Sequence, residues 1–107
     1  MSSKLQEIAA LEDGWWGPRS RAVPSEIIAL VDKVLPELAD IGVHVVIAPH
    51  SSGSILLEWS RPGMDYTAEI RPDGSMILST DDVERDDYEE RVVPADTKEL
   101  REFVGAL

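Results

Sequence analysis

Between Val43 and Leu78 the chain alternates apolar and more polar residues in short runs, and the connectors joining the later runs are too short to cross over. The apolar positions are Val43, Val45 and Ile47, then Ile55, Leu57 and Trp59, then Tyr66, Ala68 and Ile70, then Met76 and Leu78. A period of two is that of half-buried strands. Arg61-Pro62-Gly63-Met64 fits a type II turn, with proline then glycine at its centre, and Arg71-Pro72-Asp73-Gly74 fits a type I turn ending in glycine. Ser51-Ser52-Gly53 reads as a flexible loop. Connectors of this length force antiparallel neighbours. Arg91-Val92-Val93 offers a fifth strand.

Helical spacing flanks this region on both sides. Ser3 with Gln6 has the form of a capping box ahead of Leu5, Ile8, Ala9 and Leu11, which recur at helical spacing until Gly14. Ile27, Leu30, Val31, Val34, Leu35 and Leu38 form one continuous apolar stripe. Pro36 lacks an N–H and clashes with the preceding turn, so a kink near Leu35 and a stop by Gly42 are expected. Asp96 and Glu99 resemble a further capping box, before Leu100, Phe103, Val104 and Leu107. The expected fold is therefore α+β: an antiparallel four- to five-stranded meander packed on one face by N-terminal, central and C-terminal helices. The other face would bear Leu56, Glu58, Thr67, Glu69, Ile77 and Ser79, neither plainly wet nor plainly buried.

A length of 107 residues with 43% hydrophobic content suits one compact domain, 1–107. The absence of cysteine excludes disulfides, a thiol nucleophile and cysteine-ligated metal, and fits a reducing cytoplasm of a bacterium or an infected host cell. The opening Met1-Ser2-Ser3-Lys4 leads into an amphipathic run, and no stretch approaches the ~18 apolar residues of a membrane span. A soluble, unexported protein is expected, with no membrane partner.

The charge of the chain is concentrated. Asp81, Asp82, Glu84, Asp86, Asp87, Glu89 and Glu90 stand with a single arginine, Arg85, in ten residues, so that segment carries −6 of the net −11. Such a field repels nucleic acid and anionic lipid and speeds encounter with basic partners. These seven acids are candidate partner-binding residues, with Trp16 as an aromatic contact. One form of that role is DNA mimicry, in which a rigid line of carboxylates imitates a phosphate ladder. The plainer alternative is a solvated, partly mobile loop over 81–90 that serves solubility. The spacing from Asp81 to Asp87 does not match an EF-hand and lacks its central glycine, so no metal is expected.

The remaining candidates point to structure. Of the adjacent Trp15 and Trp16, in the Gly14–Pro24 loop, one should be buried and one at least partly exposed. Trp59 continues the Ile55 and Leu57 face and belongs to the core. His44 and His50 are too few for a zinc site and are expected to be structural. Ser51 beside His50 lacks a nucleophile-elbow frame, and 21 acids guarantee accidental carboxylate pairs. Arg19 and Arg21 cannot hold a duplex against a −11 background and are expected to pair with the acidic window or with a partner's carboxylates.

Gly14-Trp15-Trp16-Gly17, Pro24-Ser25, Leu57-Glu58-Trp59 and Asp73-Gly74 occur in an order that resembles a group of small uncharacterised bacterial and phage proteins. Those carry a Gly-Trp-Asp-Gly-type loop, a Pro-Ser-led helix, a Leu-Glu-Trp strand and an Asp-Gly hairpin. The resemblance covers about residues 5 to 80. Trp16 stands where that group has aspartate, and the resemblance implies no activity and no catalytic residue.

The function expected from these features is a non-catalytic acidic binding protein, without cofactor, that neutralises another protein with a basic surface and binds no nucleic acid directly. An antitoxin, an immunity protein or a phage-encoded inhibitor of host defence such as an anti-CRISPR works in this way. A DNA-mimic inhibitor of a nucleic-acid-binding enzyme is the first alternative. A small hydrolase or metal-dependent enzyme in an unfamiliar arrangement is the second.

Overall fold

The computed structural model describes residues 2–105. Leu107, expected on the apolar side of the last helix, lies outside the described residues. The elements run α1 (Ser3–Ala9), α2 (Ser25–Asp40), β1 (Val46–Pro49), β2 (Ile55–Arg61), β3 (Met64–Ile70), β4 (Ser75–Asp82), β5 (Asp87–Pro94) and α3 (Thr97–Gly105). The five strands form one antiparallel sheet in the order β1-β2-β3-β4-β5. This is the α+β meander that the alternation and short turns imply, with the optional fifth strand present.

The first helix begins one residue earlier than expected. Ser2, not Ser3, is the N-cap, its Oγ accepting from Leu5 N–H at 3.1 Å. α2 runs through Pro36 to Asp40. Pro36 removes the amide that would bond four residues back. It lies exposed, while Val31, Val34 and Leu38 on either side of it are fully buried and hold both halves on the same surface. Gly42, at φ +78°, ends the helix in a Schellman arrangement, with Gly42 N–H on the Ala39 carbonyl and Val43 N–H on that of Leu38. The first strand starts only at Val46, so Val43 and Val45 reach the core as half-buried connector residues.

Register fixes which side chains share a face. Ile47, Leu57, Ala68 and Leu78 lie side by side across four strands, next to the row Ile55, Ile70 and Met76. These residues join Leu5, Ile8, Ile27, Ile28, Val31, Val34, Leu38, Leu100, Phe103 and Val104 from the helices in one buried cluster. Trp59 sits at its edge, 3% exposed, stacked on Tyr66 at 5.8 Å and met edge-on by Phe103 at 5.6 Å. All three helices contribute to this single cluster, which leaves the opposite face of the sheet without a helix among the described residues.

The acidic segment is not a loop. Asp81 and Asp82 end β4, Asp87 to Glu90 begin β5, and only Val83–Asp86 turn between them. An acidic strand can pair here because β4 presents mostly neutral residues to it: Thr80 faces Glu89, Ser79 faces Glu90 and Asp81 faces Tyr88. Only Asp82 and Asp87 oppose each other as like charges. The turn is held by Arg85 N–H on Asp82 Oδ1 at 3.1 Å and by Val83 N–H on the Gly63 carbonyl at 3.0 Å, with Asp86 at φ +53°.

Candidate functional site: the uncovered face of the sheet

The strand positions that point away from the helices are Val46, Ala48, Leu56, Glu58, Ser60, Asp65, Thr67, Glu69, Ser75, Ile77, Ser79, Asp81, Tyr88, Glu90, Val92 and Pro94. Five of these are carboxylates, Glu58, Asp65, Glu69, Asp81 and Glu90, and none is lysine or arginine. Asp65 and Asp81 are directly opposed across β3 and β4. Neighbouring strands are ~4.8 Å apart, so such a pair creates a negative potential that neither side chain can turn away from entirely.

Their partners soften this repulsion without removing the charge. Ser60 donates to Asp65 Oδ1 at 2.7 Å, and the Tyr88 hydroxyl donates to Glu90 Oε2 at 2.7 Å while lying 3.1 Å from Ser79 Oγ. Arg71 reaches this face from the β3–β4 turn and binds Glu69 Oε2 through Nε at 2.6 Å. That hydrogen bond from Arg71 to Glu69 raises the guanidinium above its already high ordinary pKa. Glu58, Asp65, Asp81 and Tyr88 line a shallow depression of about 590 Å³, rimmed by His44 and Val46. Among the described residues no three acidic or histidine side chains converge as a metal would require.

The seven acids of the sequence window do not form one line. Asp81 and Glu90 belong to the uncovered face, Asp82, Asp87 and Glu89 to the helix side, and Glu84 and Asp86 to the turn. The two on the uncovered face are joined by Glu58, Asp65 and Glu69, which lie 12 to 32 positions from Asp81 or Glu90 in sequence. Alternation within each strand marked Glu58 and Glu69 as outward; only the register shows that they stand with the hairpin acids.

Trp16 does not join this array. It is 75% exposed, but its loop docks at the opposite end of the sheet from the acidic turn, where Arg21 N–H bonds the Ser51 carbonyl at 2.8 Å. Trp15 is half-buried rather than buried, its Nε1 donating to the Arg21 carbonyl at 2.8 Å. Arg21 lies 3.7 Å from Asp13 within its own loop and not against the acidic segment. A local constraint explains this: Asp13 also accepts from Ala22 N–H at 2.8 Å, which fixes the carboxylate beside the arginine.

His50 is engaged locally. Its Nδ1 accepts from Ser52 N–H at 3.1 Å and lies 2.8 Å from Ser52 Oγ, which is 2.9 Å from Ser54 Oγ. Two contacts from one turn residue organise the β1–β2 turn, and the ring nitrogen nearest a hydroxyl is already taken by a main-chain donor. No protein family, curated protein or solved structure matches the chain.

Proposed function

We propose that this chain is a non-catalytic acidic binding protein that neutralises another protein by covering a basic surface on it, as an antitoxin, an immunity protein or a phage-encoded inhibitor such as an anti-CRISPR does. The observation that carries this is the uncovered sheet face, with five carboxylates and no lysine or arginine among its strand positions. A rigid sheet holds those charges at fixed spacing, so they meet a partner without a large ordering cost. Exposed apolar groups stand among them, with Val92 65% and Val46 50% exposed, and supply area that desolvates on contact. Charges in this arrangement act chiefly on the association rate and on partner choice.

A DNA-mimic form of this function draws on Asp87 and Glu89, which sit two apart on β5 and so ~7 Å from each other. The distribution of the other acids over two faces and a turn favours a broad basic patch on a protein over a narrow duplex-binding groove.

The test takes the protein retained from host lysate and follows its binding rate from low to high salt. Glu58→Gln, Asp65→Asn, Asp81→Asn and Glu90→Gln together should slow association and flatten its salt dependence, since pairs beyond ~8 Å are screened at physiological salt. Identical rates and slopes for the two proteins would refute the acidic face as the contact surface. Loss of binding when duplex DNA occupies the partner's own DNA site would select the DNA-mimic form.

A further inference from the structure

We propose that the outer edge of β5 grips the partner by main-chain pairing, adding an extended basic segment to the sheet as a sixth strand. The proposal rests on the acidic binding function above for the partner's charge, and on the sheet topology for the mode of contact. β5 is the last strand of the sheet and has β4 on one side only. The ladder between them continues into Ala95 N–H on the Gly74 carbonyl at 2.8 Å. Antiparallel pairs alternate between bonded and non-bonded positions. Counting back from Ala95, Val93, Arg91, Glu89 and Asp87 turn their main-chain groups to β4, and Val92, Glu90 and Tyr88 turn theirs outward.

Those outward N–H and C=O groups have no main-chain partner among the described residues. Pro94 occupies the next outward position, where a missing N–H leaves the β4 ladder intact. An unpaired edge of this kind is a template for another strand. β5 is also open on both flanks, with Tyr88 58% and Val92 65% exposed on one side. On the other, a depression of about 740 Å³ separates Glu89 and Arg91 from Phe103 of α3.

The charge of β5 selects the occupant. A second copy pairing antiparallel in full overlap of the outward positions would set Glu90 against Glu90 and bring together two strands that each carry three acids and one arginine, and like charges directly across strands are destabilising. An extended segment with lysine or arginine at alternate positions instead places cations beside Glu90 on the uncovered face, or beside Asp87 and Glu89 on the other, while its main chain bonds Tyr88, Glu90 and Val92.

The probe is a synthetic peptide of about eight residues, the length of β5, with lysine alternating with threonine. At saturating peptide the amides of Tyr88, Glu90 and Val92 should exchange with solvent at least about tenfold more slowly, as new hydrogen bonds protect them. Val92→Pro keeps every charge but deletes one outward donor, and should weaken binding about tenfold. A peptide N-methylated on the residues facing β5 should lose binding equally, which guards against misfolding of the proline variant. Equal affinity for the methylated and unmethylated peptides would overturn strand addition. So would binding that perturbs Glu58, Asp65 and Thr67 but leaves the three amides unprotected, although the acidic-face function would then stand. Self-association without peptide would name a second copy as the occupant and overturn the proposal. No peptide binding even at low salt would overturn strand addition, while the salt dependence of partner association tests the acidic face separately.

Discussion

Replacing Trp59 by alanine tests the sheet register, because the residue is inside only if Ile55, Leu57 and Trp59 share the helix-covered face. The side chain is 3% exposed, stacked on Tyr66 at 5.8 Å and contacted edge-on by Phe103 at 5.6 Å. A buried aromatic removes ~150–250 Å² from water, worth roughly 4–6 kcal/mol at ~25 cal/mol per Å². The two ring contacts add about 0.5–1.5 kcal/mol each. Two effects reduce the loss: alanine retains part of the burial, and the buried Trp59 Nε1 has no hydrogen-bond partner among the described residues, so its removal returns about 1–3 kcal/mol. A net loss of about 3–5 kcal/mol remains, within the range for aromatic-to-alanine changes. Against a total of ~5–15 kcal/mol, this brings the protein close to unfolding. Trp59→Phe separates the contributions, since it keeps a ring against Tyr66 and Phe103 but deletes the unpartnered N–H; it should cost less than about 1.5 kcal/mol. Urea unfolding followed by far-ultraviolet circular dichroism measures both variants without relying on tryptophan emission. A loss below about 1 kcal/mol for Trp59→Ala would refute the register, and a loss well above about 1.5 kcal/mol for Trp59→Phe would refute the account of the orphaned N–H.

Asp87→Asn should raise stability by a few tenths of a kcal/mol, because it relieves the like-charge pair with Asp82, and a urea midpoint that falls instead would place the repulsion elsewhere. The Asp73 carboxyl is held below the ordinary aspartate range by the Ser75 hydroxyl and then by the Ser75 N–H, at 2.6 and 2.9 Å. Its folded pKa lies below its unfolded one, so its contribution is present above the unfolded value and is lost as pH falls through the folded value; carboxyl NMR titration of Ser75→Ala should show Asp73 moving up toward the ordinary range. Gly53→Ala should cost about 1–3 kcal/mol by thermal or urea unfolding. The backbone is at φ +89°, and a Cβ would come within 3.1 Å of both the Ala22 carbonyl oxygen and Pro72 Cγ, so an unchanged midpoint would contradict that close approach.

The order of helices and strands was legible in the sequence because each element carries its own local period and each connector its own turn chemistry. The stripe from Ile27 to Leu38, the Ile55-Leu57-Trp59 face, the Pro62-Gly63 turn and the Asp96 cap over Glu99 N–H at 2.8 Å depend on neighbours within a few residues. The acidic hairpin was not legible in this way. Composition makes Asp81 to Glu90 a poor strand, and pairing to Ser79 and Thr80 on β4 overrides that preference. The α1 cap lay one residue off because Ser2 and Ser3 are both capable and only the backbone geometry separates them. Trp16 was grouped with the acids as an aromatic contact, because tryptophan is enriched at interfaces, and the meander places its loop at the other end of the sheet. Sequence therefore determined the helices, the first four strands, their antiparallel adjacency and most of the core, all of which follow from short-range periodicity and short loops. The tertiary structure decided that Glu58, Asp65 and Glu69 share a face with Asp81 and Glu90, and that Tyr88, Glu90 and Val92 turn their main-chain groups to solvent. Both facts depend on register summed across several strands, where a slip of one residue would move every carboxylate to the opposite side.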